Sequence, residues 1–225
     1  AGTPGNPGTG GNTGSTGTTS PIVTSISPTS RGQGAQGQTV TITGQYFQPS
    51  ATVSFGGTGI TVNSTTYVSA TQVTANITID EAAATGARDV IVNNNDGSTV
   101  GVLLNGFTVN TGPKITDVNP TSRGQGATGQ TVVVTGTDFA AGATVSLTGT
   151  GITITSGFTV TSTTITFTVD VAGSAPVGTR VLRVTNPTDA GSATASFSVN
   201  PPPTVGTVVP SSRGQGATNQ TITIN

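Results

Sequence analysis

The 225-residue chain contains no cysteine, histidine, methionine or tryptophan. Without cysteine there is no disulfide, thiol nucleophile or thiolate metal ligand. Without histidine the Ser-His-Asp and Cys-His constellations and imidazole metal sites are excluded as well. Charge is also scarce: seven Lys and Arg and eight Asp and Glu make up 7% of the chain, against about 25% in a typical domain. A net charge of −1 gives no electrostatic footprint for nucleic acid. The carboxylates stand singly except for adjacent Asp80 and Glu81, so the paired acids that acid–base catalysis needs are not on offer. These absences point to a protein that is not an enzyme, with no catalytic residues, metal site or cofactor. No apolar run approaches the roughly 20 residues of a membrane span. A chain that starts with Ala1 and lacks Met reads as a processed product or a fragment.

Solubility must then come from uncharged polar groups, and Thr and Gly supply them. Thr is β-branched and suits a half-exposed pleated surface, which favours strands over helices. The most distinctive phrase occurs three times: "PTSRGQGAQGQTVTITG" (28–44), "PTSRGQGATGQTVVVTG" (120–136) and "PSSRGQGATNQTITIN" (210–225). Its arginines, Arg31, Arg123 and Arg213, are 92 and 90 residues apart. The lead-in recurs as well, with Pro21, Val23, Ile26 and Pro28 answered by Pro113, Ile115, Val118 and Pro120, then by Pro203, Val205, Val208 and Pro210. A period this long marks whole-domain repeats, not solenoid units.

Inside each repeat apolar residues alternate: Val40 and Ile42, Val53 and Phe55, Val73 to Ile79, Val90 and Val92, Phe107 and Val109. The second repeat matches them with Val132 and Val134, Val145 and Leu147, Ile165 to Val169, Leu182 and Val184, Phe197 and Val199. Period 2 over short runs, broken by Gly, Asn, Asp and Pro, predicts half-buried strands. About seven per repeat predict an all-β fold of tandem antiparallel sandwiches, aliphatic inside and Thr-covered outside. The expected domains are 21–111 and 112–201, with the first two strands of an incomplete third repeat at 202–225. Short proline-bearing linkers, "NTGP" (110–113) and "NPPP" (200–203), favour a semi-rigid string. The third repeat either continues in a longer chain or completes its core on another molecule's sheet.

Residues 1–20, "AGTPGNPGTGGNTGSTGTTS", hold nothing apolar larger than Ala. Glycine falls at positions 2, 5, 8, 11, 14 and 17. The segment reads as a flexible Gly/Thr/Pro linker or as a collagen-like G-x-y stretch, the latter joining three chains.

Each repeat resembles an IPT/TIG domain, an immunoglobulin-like module. The residues that carry the likeness are Pro21 to Pro28, "GQTVTITGQYF" (37–47), "ATVSFGG" (51–57) and "NGFTV" (105–109). In the second repeat they are Ile115 to Pro120, "GQTVVVTGTDF" (129–139), "ATVSLTG" (143–149) and "ASFSV" (195–199), where a Phe and a Gly of the pattern are missing at "SLTG". The resemblance implies an Ig-like fold, roles in spacing, adhesion and assembly at cell surfaces, and no shared catalytic residues.

The arginine phrase supplies the candidate contacts: Arg31, Gln33, Arg123, Gln125, Arg213 and Gln215. Five fixed donors let Arg satisfy carbonyls at a loop, brace a neighbouring domain, or touch another molecule in a fibre. "NNNDGS" (93–98) offers oxygens to Ca²⁺ but reads first as a hairpin turn, since Asp-Gly lies between two alternating runs. Tyr46 and Tyr67, with Phe158, are the candidate aromatics for stacking on a glycan. Asn63, Asn76 and Asn219 begin Asn-x-Ser/Thr sequons. The expected role is a structural segment of an extracellular fibre, filament or stalk, with copies of itself as partners. The alternative is an adhesin or virion-fibre segment that binds a cell-surface glycan.

Overall fold

The computed structural model of the protein describes residues 19–225. The choice between linker and triple helix therefore falls on residues that lie almost wholly outside the described ones.

The first sandwich is built from β1 (Ile22–Ser27), β2 (Ser30–Gly32), β3 (Gln38–Gln45), β4 (Thr52–Phe55), β5 (Ile60–Ser69), β6 (Gln72–Ile79), β7 (Gly86–Asn93) and β8 (Gly101–Asn110). Its two sheets run β1-β3-β6-β5 and β2-β8-β7-β4. Register explains the core: Val40 faces Ala75 and Ile42 faces Val73 across β3 and β6. With a side-chain period of 2, this puts Thr39, Thr41 and Thr43 on the outer face. Val40, Ile42, Val73 and Ile77 are fully buried, as are Val90, Val92 and Phe107 on the opposing sheet. Phe55, half-buried, meets Phe107 edge-on with ring centroids 5.2 Å apart.

The second sandwich repeats the plan with β9 (Lys114–Asn119), β10 (Ser122–Gly124), β11 (Gln130–Thr137), β12 (Thr144–Leu147), β13 (Ile152–Ile154), β14 (Thr159–Val160), β15 (Thr164–Val171), β16 (Gly178–Thr185) and β17 (Ser192–Asn200). One sheet runs β13-β15-β11-β9 with β14 beside β15, the other β10-β17-β16-β12. Val132, Val134, Ile165, Phe167, Leu182, Val184 and Phe197 form its core.

Strands outnumber the expected seven for two reasons. The Ser-Arg-Gly start of the repeated phrase pairs in parallel with the last strand of its own sandwich, as β2 on β8 and β10 on β17. The long β5 is divided into β13 and β14, between which Gly157 takes a positive φ of 71°.

In the third repeat β18 (Val208–Val209) pairs antiparallel with β19 (Thr223–Ile224). Val208, Ile222 and Ile224 are exposed there, whereas Ile26, Val40 and Ile42 at the matching places of the first repeat are buried.

Candidate functional site

Between β7 and β8, and again between β16 and β17, the hairpin loop is anchored by a buried asparagine. Asn94 donates to Tyr46 O at 2.8 Å and accepts from Gln48 N at 3.1 Å. Asn186 does the same with Asp138 O at 2.9 Å and Ala140 N at 3.0 Å. The first loop is thus a hairpin connection of seven residues tied down at Asn94, with Asp96 and Gly97 inside it. Within it Ser98 N donates to Asp96 Oδ1 at 2.9 Å, and the Ser98 hydroxyl beside the carboxylate together with this bond lowers the Asp96 pKa below the ordinary value. Among the described residues no three acidic side chains gather to hold a metal ion.

The second loop does something the first does not: it docks on the neighbouring sandwich. Gly32 N donates to Asp189 O at 3.0 Å, and Ser192 N donates to Gln33 O at 2.9 Å. The Ser192 hydroxyl, in a residue only 2% exposed, donates to Gly34 O at 2.6 Å. Arg183 Nη1 in turn donates to Ser192 Oγ at 2.7 Å, fixing the rotamer that reaches across. On the flank Thr194 Oγ1 donates to Glu81 Oε1 at 2.8 Å. Ala190, held at a φ of 57°, packs against the first core. The docked segment thus pairs with the otherwise open edge of β2, covering backbone groups that a bare strand edge leaves unpaired.

Glycine makes the approach possible. A Cβ on Gly32 would stand 2.7 Å from Gly191 Cα, one on Gly34 1.8 Å from Ser192 O, and one on Gly112 2.4 Å from Gln33 O. All three are backbone obstacles that cannot swing aside.

The predicted site residues divide. Gln33 lies in the joint: its carbonyl takes Ser192 N, its Oε1 accepts from Gly112 N at 3.2 Å, and its Nε2 donates to Ala83 O at 2.6 Å. Gln125 makes the last of these bonds in its own sandwich, to Ala175 O at 2.7 Å. The arginines stay within their own repeats. Arg31 Nε donates to Gln38 Oε1, Arg123 Nη2 to Thr131 O, and Arg213 Nη2 to Thr221 O. Arg31 and Arg123 thus tie the phrase to the strand that follows it, β3 or β11. Gln215 is exposed. Tyr46 is exposed at a positive φ of 63°, but Tyr67 lies half-buried against the first core, and Phe158 leans on Phe167 at 6.2 Å. The Asn63 side chain donates to Asn76 Oδ1, so those two sequon asparagines are paired across strands.

Sequence reasoning missed Asp189, Gly191, Ser192 and Glu81. The available signal was a mismatch: "NNDGSTVG" (94–101) and "NPTDAGSA" (186–193) fill equivalent places with different residues.

A family model described as the IPT/TIG domain matches residues 21–109 and 113–199. No curated protein matches the chain. Solved structures do: the plexin A4 extracellular region is 15% identical over 84% of this chain and 19% of that one, with a TM-score of 0.33. The Yersinia pseudotuberculosis adhesin InvE is 13% identical over 80% of this chain and 58% of its own, with a TM-score of 0.32. Domains 5 and 6 of the S-layer protein SbsC are 15% identical over 80% of this chain and 98% of that one, with a TM-score of 0.26. The chain spans about a fifth of the plexin chain and rather more than half of the adhesin. These neighbours are extracellular or surface proteins, and among the described residues no helix is long and apolar enough to cross a membrane.

Proposed function

Because the chain belongs to the IPT/TIG domain family and carries two copies of the domain in tandem, we propose that it is a structural segment of an extracellular stalk, fibre or filament, acting by holding its domains in a fixed mutual orientation. One observation carries this reading: three glycines, Gly32, Gly34 and Gly112, bring two sandwiches so close that their backbones hydrogen-bond directly. A flexible tether between independent binding modules needs no such approach. A spacer under load does, because every unlatched joint is a place to bend. The low-charge, Thr-rich surface and the scarcity of lysine on strand edges, with Lys114 alone in the chain, fit a chain that packs with its own kind.

A glycan-binding role has less to stand on, since Tyr67 is half-buried against the first core, which leaves Tyr46 and Phe158, far apart in the chain, as the exposed aromatic rings. Immunogold labelling of intact source cells or particles with an antibody to residues 21–200 tests the proposal. Label on surface fibres or stalks is expected, and label appearing only after permeabilisation sinks it.

A further inference from the structure

The last two strands of the two sandwiches keep step and then lose it. Val102 and Thr194, each next to the first rung below its hairpin loop, are 92 residues apart. Phe107 and Phe197, opposite Arg88 and Arg180, are 90 apart. The first repeat thus carries two additional residues, and β8 takes them up as a bulge. Val90 pairs with Leu103 and Arg88 with Phe107, so Asp89 alone faces Leu104, Asn105 and Gly106. The ladder between β16 and β17 runs without such a shift.

The bulge restricts its own sequence. Asn105 has a φ of 52°, in the left-handed region that Gly, Asn and Asp enter most readily. A Cβ on Gly106 would stand 2.5 Å from Leu103 Cδ2, in a side chain packed against the first core, and 3.2 Å from Val90 Cγ2. Asp89 Oδ1 holds the turn by accepting from Asn105 N at 2.8 Å. What suits this backbone is Asn-Gly, in which a carboxamide precedes the least hindered of backbone nitrogens.

No other asparagine in the chain precedes glycine. Elsewhere in the two sandwiches Asn119, Asn186 and Asn200 precede proline, which has no N–H to attack with. The side chains of Asn63, Asn76, Asn93, Asn94, Asn95 and Asn110 are each held by a hydrogen bond. Asn105 is exposed beside an open pocket lined by Arg88 and Asp89, and its carboxamide has no hydrogen-bond partner among the described residues.

We propose that Asn105-Gly106 is a self-modification site, where the folded chain converts its own asparagine to aspartate and isoaspartate. The Gly106 nitrogen gives its proton to solvent base and attacks Asn105 Cγ. The new N–Cγ bond closes a five-membered imide, the Cγ–Nδ2 bond breaks, and Nδ2 takes up a proton and leaves as ammonia. Water then opens the imide at either carbonyl, and no oxidant or reductant is involved. The product adds a carboxylate to a chain of net charge −1 and sets it close to Asp89, where like charges repel. Isoaspartate also lengthens the main chain by a methylene at the residue that bonds Asp89. The β7–β8 pairing therefore loosens with age, whereas β16 and β17, with Val181 opposite Ser196, do not change. Asp96-Gly97 is the comparison within the chain: its carboxylate, held by Ser98 N at 2.9 Å, is a poor acceptor for the same attack.

The test ages the full chain in warm, mildly alkaline buffer, folded and in urea, with peptide mass mapping and methyl transfer by an isoaspartyl methyltransferase as readouts. Exchange of –NH₂ for –OH at residue 105 is expected in the folded chain, within about tenfold of the rate in urea because an exposed bulge opens easily. Ammonia should appear mole for mole, and new amide signals should arise at Leu104–Phe107 while those of Gly32 and Ser192 stay. Asn105→Gly keeps a residue at ease in the left-handed region and should abolish the product. Conversion of the folded chain more than tenfold slower than in urea would mean that the bulge protects its amide, which overturns the site. Earlier conversion at any other asparagine, or isoaspartate that persists in Asn105→Gly, overturns it too.

Discussion

Gly32→Val isolates the joint, because the clash it creates lies across the domain boundary. Gly32 does not have a positive φ, so valine is tolerated by the strand itself. Its Cβ, however, would stand 2.7 Å from Gly191 Cα and 2.9 Å from Asp189 Oδ1. Relief requires the second sandwich to move off, breaking at least Gly32 N–Asp189 O and Ser192 N–Gln33 O. At about 1 kcal/mol net for each bond, the docked state loses ~2 kcal/mol, roughly a thirtyfold shift towards undocked. The matched control is Gly124→Val, the same place in the second phrase, where the nearest atom is Pro201 O at an ordinary 3.7 Å. ¹⁵N relaxation reads the outcome as one rotational correlation time or two. Gly32→Val should give each sandwich its own shorter correlation time, with both still folded, and Gly124→Val should leave the wild-type value. Equal behaviour of the two variants would refute the claim that close glycine approach latches the joint.

Three further outcomes follow from the geometry. Ser192→Ala removes a buried hydroxyl that bonds Gly34 O and Arg183, so it should cost the docked state about 1–3 kcal/mol, seen as a raised undocked fraction by relaxation dispersion. Asn94→Ala strands Gln48 N and Tyr46 O inside the first sandwich; urea unfolding should show that sandwich destabilised by roughly 2–4 kcal/mol and the second unchanged. Asp96 has a depressed folded pKa because Ser98 donates to its carboxylate. The turn is therefore held above the ordinary value of 3.8 and released only as pH falls through the lower folded one. The Ser98 amide should titrate with a midpoint below 3.8, and Asp96→Asn should abolish that titration.

The alternation of Val40, Ile42, Val132 and Val134 was legible as buried core because a strand has only two faces and Thr fills the other; all four are fully buried. The three-residue strands β2 and β10 were not legible. They carry no apolar alternation, and what defines them is a parallel pairing with strands some seventy-five residues further along the chain. The arginine phrase drew attention to the right loop, and its arginines and its glycines do different things there. Arg31 and Arg123 satisfy carbonyls of their own repeats, while the glycines and the backbone of Gln33 meet the neighbour. A repeat search weights what recurs, and this joint depends on Gly191 and Ser192, where the first repeat has Thr99 and Val100. Asn94 and Asn186 lie at the same 92-residue offset as the arginines and could have been found, yet asparagine in a turn-rich stretch gives no sign that it is buried.

Residual dipolar couplings measured for both sandwiches of the wild-type chain in one dilute aligning medium bear on the account at its root. If the Gly32–Gly34 edge and the Asp189–Ser192 segment hold the sandwiches as one body, a single alignment tensor fits the couplings of residues 21–109 and 113–199 together. Two tensors of different magnitude would mean that the domains swing freely and that the joint does not hold them.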